Sequence, residues 1–434
     1  MIDQRLRLLG NPADRRLLRD IVYGVIRRRG TLDAVIAAYA SRPTGEMDGV
    51  VLDILRLGVY ELLFHQRVPA HAAVNEAVRL ARAAGLPSAT PFVNAVLRAV
   101  SGGLRIADSP DPALPDSSLV LGPGRIAIFD RPILPPAENR VERLAVLHSY
   151  PPWLIRRWLD RYGEDRTREM CEICNEPPAL FARPNSLRTD VAGLVGKLAE
   201  EGIAAEPVPG GRTVRLPLRT KVKALRSFAE GLFQVQDDSA ARVAPFLAPR
   251  PGERVLDLCA APGGKCCHAA ELMQNRGEIV AVDIEGHRLE RVVENALRLG
   301  ISIIATVEAD GVQFAREHRG EFDRVLIDAP CSNTGVLRRR VEARWRLSDA
   351  VIERLAAAQR ALLEAGLRAL KPGGTLVYST CSLEPEENAE VVNAVLEAVP
   401  GFRLDAVEEV LPSRDGGDGL AMARIVRIGV EASR

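Results

Sequence analysis

The 434-residue sequence predicts an α/β domain built on a parallel sheet, preceded by an all-α domain and a small α+β domain. Three patterns carry this. From Gly252 onward, short apolar runs alternate with helical or loop sequence, as in parallel strands covered on both faces. The first hundred residues repeat their apolar positions at helical period. Between these regions, strand-like and helix-like pieces mix at short intervals.

Taken in order, Leu17, Leu18, Ile21, Val22 and Val25 make a first helical stripe, and Leu32, Val35, Ile36 and Tyr39 a second. Val51–Leu63, His71–Ala83 and Pro91–Val100 add three more, with Gly85-Leu-Pro87 as a break, for roughly five helices over residues 1–102. Residues 103–142 are rich in proline and glycine and read as a linker with one short strand at Arg125–Phe129. Residues 143–229 begin helical, from Tyr150 to Cys174. A strand at Ala179–Arg183, a helix at Val191–Glu201 and strands at Ala204–Val208 and Arg212–Leu216 then give a β-α-β-β unit. Residues 230–434 form the last domain, with strands at Arg254–Leu258, Ile279–Ile284, Ile303–Val307, Arg324–Ile327 and Thr375–Tyr378.

Composition narrows the class. The apolar fraction is 47% and the charged fraction 26%, which excludes a disordered chain. No stretch approaches the ~18 apolar residues of a membrane span. Met1-Ile2-Asp3-Gln4-Arg5 mixes charges of both signs, unlike a signal peptide, and seven cysteines make no paired framework, so a cytoplasmic location is expected. Residues 1–100 hold 14 Arg against 9 Asp and Glu, so a net charge of +1 hides a basic first domain. That bias suits an anionic partner or an ordinary Arg-rich helical surface. With only five lysines beside 53 arginines, arginine abundance says little, and each lysine becomes worth locating.

In an open parallel sheet, ligands bind beyond the carboxyl ends of the strands. After the first run stands Asp257-Leu-Cys259-Ala260-Ala261-Pro262-Gly263-Gly264-Lys265, a glycine-bearing turn leading into a helix. Neither the dinucleotide nor the phosphate-loop glycine pattern is present. The second run ends at Asp283, 19 positions after Gly264, where a carboxylate accepts from ribose hydroxyls. The third ends near Asp310, placed to accept from an exocyclic amine; solvated loop acids are the plainer alternative for each. A mouth rich in carboxylates favours a positively charged cofactor over a phosphate-bearing one. The fourth and fifth runs end in Asp328-Ala-Pro-Cys331 and Ser379-Thr-Cys381, so two cysteines fall at the ligand edge, in turns that favour access. Cys171-x-x-Cys174 is a lone pair in helical sequence, and Cys266, Cys267 and His268 fit helix packing, so no metal site is expected. Arg338, Arg339, Arg340, Arg344 and Arg346, with Trp345 among them, make either a solvated basic face or a set of phosphate contacts with a stacking ring.

Leu258-Cys-Ala-Ala-Pro-Gly-Gly-Lys265, Asp328-Ala-Pro-Cys-Ser-Asn-Thr-Gly335 and Ser379-Thr-Cys-Ser-Leu-Glu-Pro385 resemble the motifs of the RNA 5-methylcytosine methyltransferases. Pro69-Ala-His-Ala-Ala-Val-Asn-Glu76 and Phe92-Val-Asn-Ala-Val-Leu-Arg98 are similar to the NusB-like RNA-binding domain of the Sun/Fmu (RsmB) branch. The resemblance implies a Rossmann-like methyltransferase domain that uses S-adenosyl-L-methionine. It implies Cys381 as the nucleophile that adds to cytosine carbon-6, Cys331 as an aid to release, and Asp328 as the acid on the base edge. It also implies Cys259, Ala260, Ala261, Pro262, Gly263, Gly264, Lys265, Asp283, Asp310 and Asp328 as cofactor positions. The implied substrate is an unpaired or opened cytosine of 16S ribosomal RNA, and the expected enzyme is a cytoplasmic monomer without metal. Val341-Glu-Ala343 and Asp418-Gly-Leu420 depart from the family pattern. The alternatives are the same chemistry on transfer or large-subunit RNA, a non-catalytic RNA-binding assembly factor, and a nicotinamide dehydrogenase on a similar sheet.

Overall fold

The structure, a computed structural model, describes residues 10–65, 68–111, 113–414 and 416–428. The reading of Met1–Arg5 therefore lies outside the described residues. Two compact units result, residues 1–175 and 176–434.

In the first unit, the two leading stripes form one helix, Pro12–Tyr39. Asn11 caps it and Pro12 opens it, and Gly30 sits inside without breaking it, because its N–H is donated to Ser149 Oγ at 2.8 Å. Helices Gly49–Phe64, Ala70–Ala83 and Thr90–Gly103 follow as the periodicity requires. Their apolar faces meet around Leu32, Ile36, Leu55, Val59 and Leu97.

The supposed linker is a folded piece. β1 (Leu104–Ala107), β2 (Ser118–Gly122) and β3 (Arg125–Phe129) form an antiparallel sheet in the order β1-β3-β2. Its prolines stand between strands rather than inside them, as in Gly122-Pro123-Gly124 between β2 and β3, so they do not interrupt the pairing. Leu119, Ala127 and Phe129 join the helical core. Helices Arg140–His148 and Pro152–Ile173 complete this unit, so the helical start assigned to the α+β domain stands on the first unit's side of the boundary.

The second unit opens with a four-stranded antiparallel sheet, β5-β6-β4-β7. Its strands are β4 (Leu180–Pro184), β5 (Glu206–Pro207), β6 (Val214–Leu216) and β7 (Phe233–Val235). Helix Val191–Glu200 covers one face through Leu194 and Leu198. β7 lies in the stretch read as the start of the last domain, yet it pairs with β4.

The main sheet has seven strands in the order β10-β9-β8-β11-β12-β14-β13. β8 (Arg254–Asp257), β9 (Glu278–Asp283), β10 (Ile304–Glu308), β11 (Phe322–Asp328) and β12 (Leu370–Thr380) are parallel. β13 (Phe402–Val410) and β14 (Leu420–Arg427) add antiparallel, so the sheet is mixed rather than purely parallel. Alternate residues serve opposite faces. Leu256, Val282 and Ile327 pack under helices Asp349–Ala369 and Ala389–Ala398, while Val255, Ala281 and Leu326 pack under Gly264–Leu272 and Gly286–Leu299. From β8 the chain moves one way to β9 and β10; β11 and β12 lie on its other side. The crevice at this reversal is where such sheets bind ligands.

The small sheet is tied to this domain by an ion pair out of water. Arg183 of β4 and Glu271 of helix Gly264–Leu272 have side chains 2% and 0% exposed. The guanidinium grips both carboxylate oxygens, and its Nε donates to Gln236 Oε1 at 2.6 Å. Glu271→Ala strands a buried cation and should cost about 3–5 kcal/mol, read as a lowered urea midpoint; a loss below ~1 kcal/mol would mean the pair is not held in a dry interior.

Candidate active site

The loop after β8 wraps back over the sheet edge. The Ala260 N–H is donated to the Val282 carbonyl at 3.0 Å, and the Ala261 N–H to Asp283 Oδ2 at 3.1 Å. The Ala261–Pro262 peptide is cis. Gly263 then turns at φ +98°, and a Cβ there would stand 3.0 Å from Val292 Cα, so both conformation and space require glycine. Gly264 starts the helix, and Lys265 in its first turn reaches across to Asp328 at the end of β11.

Asp328 and Lys265 form a close ion pair, and Ser379 Oγ donates to Asp328 Oδ1 at 3.2 Å. Burial works against the Lys265 charge, but the Asp328 carboxylate, by charge and hydrogen bond, holds the ammonium pKa above its ordinary value. Asp257 ends β8 with one oxygen buried and without a hydrogen-bond partner among the described residues. Burial, reinforced by the charge of Asp328, pushes its carboxyl up to about 7. Burial and the charges of Asp257, Asp328 and Asp283 also push up the Cys259 thiol.

Two thiols face each other beside this cluster. Cys331 Sγ lies 3.2 Å from Cys381 Sγ, and both cysteines are free. The Cys381 thiol is also 3.3 Å from Asn333 Oδ1, while the Asn333 amide donates to the Cys331 carbonyl at 2.7 Å. Asn333 sits at φ +64°, a conformation that asparagine tolerates better than most residues. The hydrogen bond to Cys381, burial and the nearby negative charge push the Cys331 thiol well up.

The strand-end reading thus brings Lys265, Asp328, Cys331 and Cys381 together and sets Cys259 to Gly264 against Asp283. Asp310 stands differently. It is exposed and caps helix Gly311–Glu317 by accepting from Gln313 N at 2.9 Å, which leaves its second oxygen open to another partner. Asn333, Ser379 and Asp257 belong to the site without having been singled out. Asp257 had a signal, as an acid at the end of the first apolar run. Nothing local marks Asn333, whose role needs both cysteine loops in place.

The arginine cluster is corrected. Arg338 is buried on Asp418, and Arg339 joins Asp418 and, at 2.8 Å, Asp237. Arg344 is fully buried. Arg338 and Arg344 are thus held inside the fold, while Arg339, Arg340 and Arg346 stay exposed, Arg339 with its guanidinium engaged by Asp418 and Asp237. Asp418, a departure from the family pattern, is the acid that draws Arg338 and Arg339 in. Cys171, Cys174, Cys266 and Cys267 are buried. No helix of the described residues is long and apolar enough to cross a membrane.

Known proteins match this architecture along most of the chain. The family described as 16S rRNA methyltransferase RsmB/F matches residues 244–423. The NusB family matches residues 5–102, and the ferredoxin-like domain of RsmF/B-like methyltransferases matches 150–222. A Bacillus subtilis protein named "Probable ribosomal RNA small subunit methyltransferase B" is 34% identical over 92% of this chain and 84% of its own length. The Salmonella newport "Ribosomal RNA small subunit methyltransferase B" is 35% identical over 95% and 91%. Among solved structures, a methyltransferase homolog protein from Pyrococcus horikoshii aligns with a TM-score of 0.60 at 29% identity, over 68% of this chain and all of its own.

The Asp257 carboxyl gives the site a pH signature. Its pKa is raised on folding, so the folded chain binds its proton more tightly than the unfolded chain. This contribution to stability is present below about 4 and is lost as pH rises through about 7. Asp257→Asn removes the dependence. Urea midpoints taken between about pH 5 and about pH 8 should show the variant gaining on the parent as pH rises. Parallel curves would mean that Asp257 ionises in the fold as freely as in the unfolded chain.

Proposed function

The chain belongs to the 16S rRNA methyltransferase RsmB/F family, and from that premise we propose that it transfers a methyl group from S-adenosylmethionine to carbon-5 of a cytosine in small-subunit ribosomal RNA. The observation that carries the cytosine reading is the pair of thiols, 3.2 Å apart, beside the Lys265–Asp328 ion pair. A site that only binds RNA needs neither thiol.

The residues fit a cationic nucleoside cofactor. Asp257 feels the charges of Asp328 and Asp283, Lys265 pairs with Asp328, Arg288 stands 3.5 Å from Asp283, and a buried oxygen of Asp257 lacks a partner among the described residues. Cys259 to Lys265 would line the loop side, Asp283 would take ribose hydroxyls, and Asp310 would offer its second oxygen to the adenine amine. When bound, the cofactor supplies an electrophilic methyl group on a sulfonium.

The chain's own residues then account for the rest. Carbon-5 of cytosine is a poor nucleophile, and addition of the Cys381 thiolate to carbon-6 makes it enamine-like. Asp328, oriented by Lys265 and Ser379, accepts from the exocyclic amine of the base, and a proton carried to N3 through the Lys265–Asp328 pair neutralises the charge that addition pushes onto the ring. Once carbon-5 carries its new group, its proton must leave and the bond from carbon-6 to Cys381 must break. Cys331, hydrogen-bonded to Cys381 at 3.2 Å, would assist that release. The target base has to leave its stack to reach a thiol set in a turn, and unpaired RNA lowers that cost.

The direct test is incubation with radiolabelled S-adenosylmethionine and unmodified 16S, 23S and transfer RNA. Label at one 16S cytosine is expected; label only in another RNA would overturn the substrate. Cys381→Ala should abolish transfer while cofactor binding, measured by calorimetry, stays unchanged, and a fully active variant would remove the nucleophile assignment. Cys331→Ala should accumulate a covalent protein–RNA species, seen as a slow, RNA-dependent band on a denaturing gel. Normal turnover without that band would count against the release role.

A further inference from the structure

Beneath the two cysteine turns lies a buried carboxylate that the chemistry above does not use. Glu387 is fully buried and stands just after the turn that carries Cys381. Its Oε1 accepts from Ser332 N at 2.8 Å and from Gln359 Nε2 at 3.0 Å. Its Oε2 accepts from Ser332 Oγ and, at 2.5 Å, from Ser382 Oγ. An ionised carboxylate offers about four acceptor positions, and here each is filled by a donor. Ser332 directly follows Cys331 and Ser382 directly follows Cys381, so one side chain holds the residue next to each thiol.

The surroundings keep Glu387 itself in place. Tyr378 OH donates to the Glu387 carbonyl at 2.6 Å. Gln359 also donates to the Pro330 carbonyl at 2.9 Å, on the approach to Cys331. The two serine hydroxyls are 3.0 Å apart, and the Ser382 hydroxyl also accepts from Glu384 N at 3.0 Å. The clamp therefore joins the β11 turn to the β12 turn at the point where the thiols must meet, beside the backbone bond from Gly335 N to the Cys381 carbonyl at 2.9 Å.

We propose that Glu387 is a positioning residue that fixes the distance between the Cys331 and Cys381 thiols by holding Ser332 and Ser382 on one carboxylate. The proposal rests on reading the two thiols as the reacting pair. Consecutive Cα atoms are about 3.8 Å apart, so fixing each serine leaves its cysteine little freedom beyond its own rotamer. Bond-forming groups lose much of their rate when displaced by an ångström, so the clamp governs turnover rather than affinity. The negative charge of Glu387 is also among the causes that push the Cys331 thiol up, after its hydrogen bond to Cys381 and burial.

The test reads thiol spacing without RNA. Diamide takes two electrons and two protons from a thiol pair, forming a disulfide while its azo bond becomes a hydrazine. Mass spectrometry of unreduced peptides then reports the rate of Cys331–Cys381 linkage in the full chain. Glu387→Gln keeps the volume but places a donor where an acceptor is required. It should slow linkage at least ~10-fold and lower kcat ~10- to 100-fold, with the KM for S-adenosylmethionine within about twofold. Linkage at the parental rate together with parental kcat would overturn the proposal. Should Glu387→Gln fail to fold, Ser332→Ala and Ser382→Ala each remove one arm of the clamp, and each should slow linkage; parental rates in both would overturn it equally. Failure of the enzymatic reading looks different: linkage would depend on Glu387 while the parent chain transfers no methyl group to any RNA.

Discussion

The constraint on which the site depends is the reversal of the chain's course at β8. β9 and β10 lie on one side of that strand, β11 and β12 on the other. Because the loops leaving β8 and β11 run apart, the carboxyl edge between them stays open. The β8 loop can then swing Lys265 over to Asp328, and the β11 and β12 turns can meet thiol to thiol. A sheet wound in one direction would fill that gap with its own connections, and the same residues would face crossover helices instead of a ligand.

Charge is distributed across that opening with economy. Lys265 pairs with Asp328, and Arg288 stands 3.5 Å from Asp283. Asp257, raised by burial and then by the charge of Asp328, keeps one oxygen without a donor among the described residues. A buried acid in that condition costs stability as long as it is ionised and alone. The arrangement is rational where a positive ligand completes it, and it accounts for a lysine at a position where arginine dominates the rest of the chain.

Away from the opening, buried polar groups serve geometry. Arg183 with Glu271, and Arg338 and Arg339 with Asp418, couple segments far apart in sequence at points where an apolar contact would permit sliding. Directional hydrogen bonds fix orientation in a way that dispersion contacts do not. The Glu387 clamp belongs to the same group, with the difference that it lies directly beneath the reacting thiols.

Periodicity and position in the sequence by themselves determined the α/β class, the five parallel strands and the helical first domain, because the spacing of apolar residues is set by backbone geometry alone. They also determined that Lys265, Asp283, Asp328, Cys331 and Cys381 lie at one edge, since in a parallel sheet every strand end of one sense falls on the same side. Tertiary structure alone decided the remainder. Residues 103–142 read as linker because their prolines are counted together in sequence; in space they separate three strands whose apolar faces need the helices beside them. β14 joins the sheet only through antiparallel pairing with β12, and β13 through β14, contacts with no local sign. Arg338 and Arg344 look like surface charge until Asp418, 80 residues on, is brought against the first and the fold closes over the second. The pairing of the thiols, and the carboxylate beneath them, likewise exist only once two distant turns have met. Local backbone preferences act over a few residues, whereas the partners of a buried charge or a reacting thiol are chosen by the closure of the whole chain.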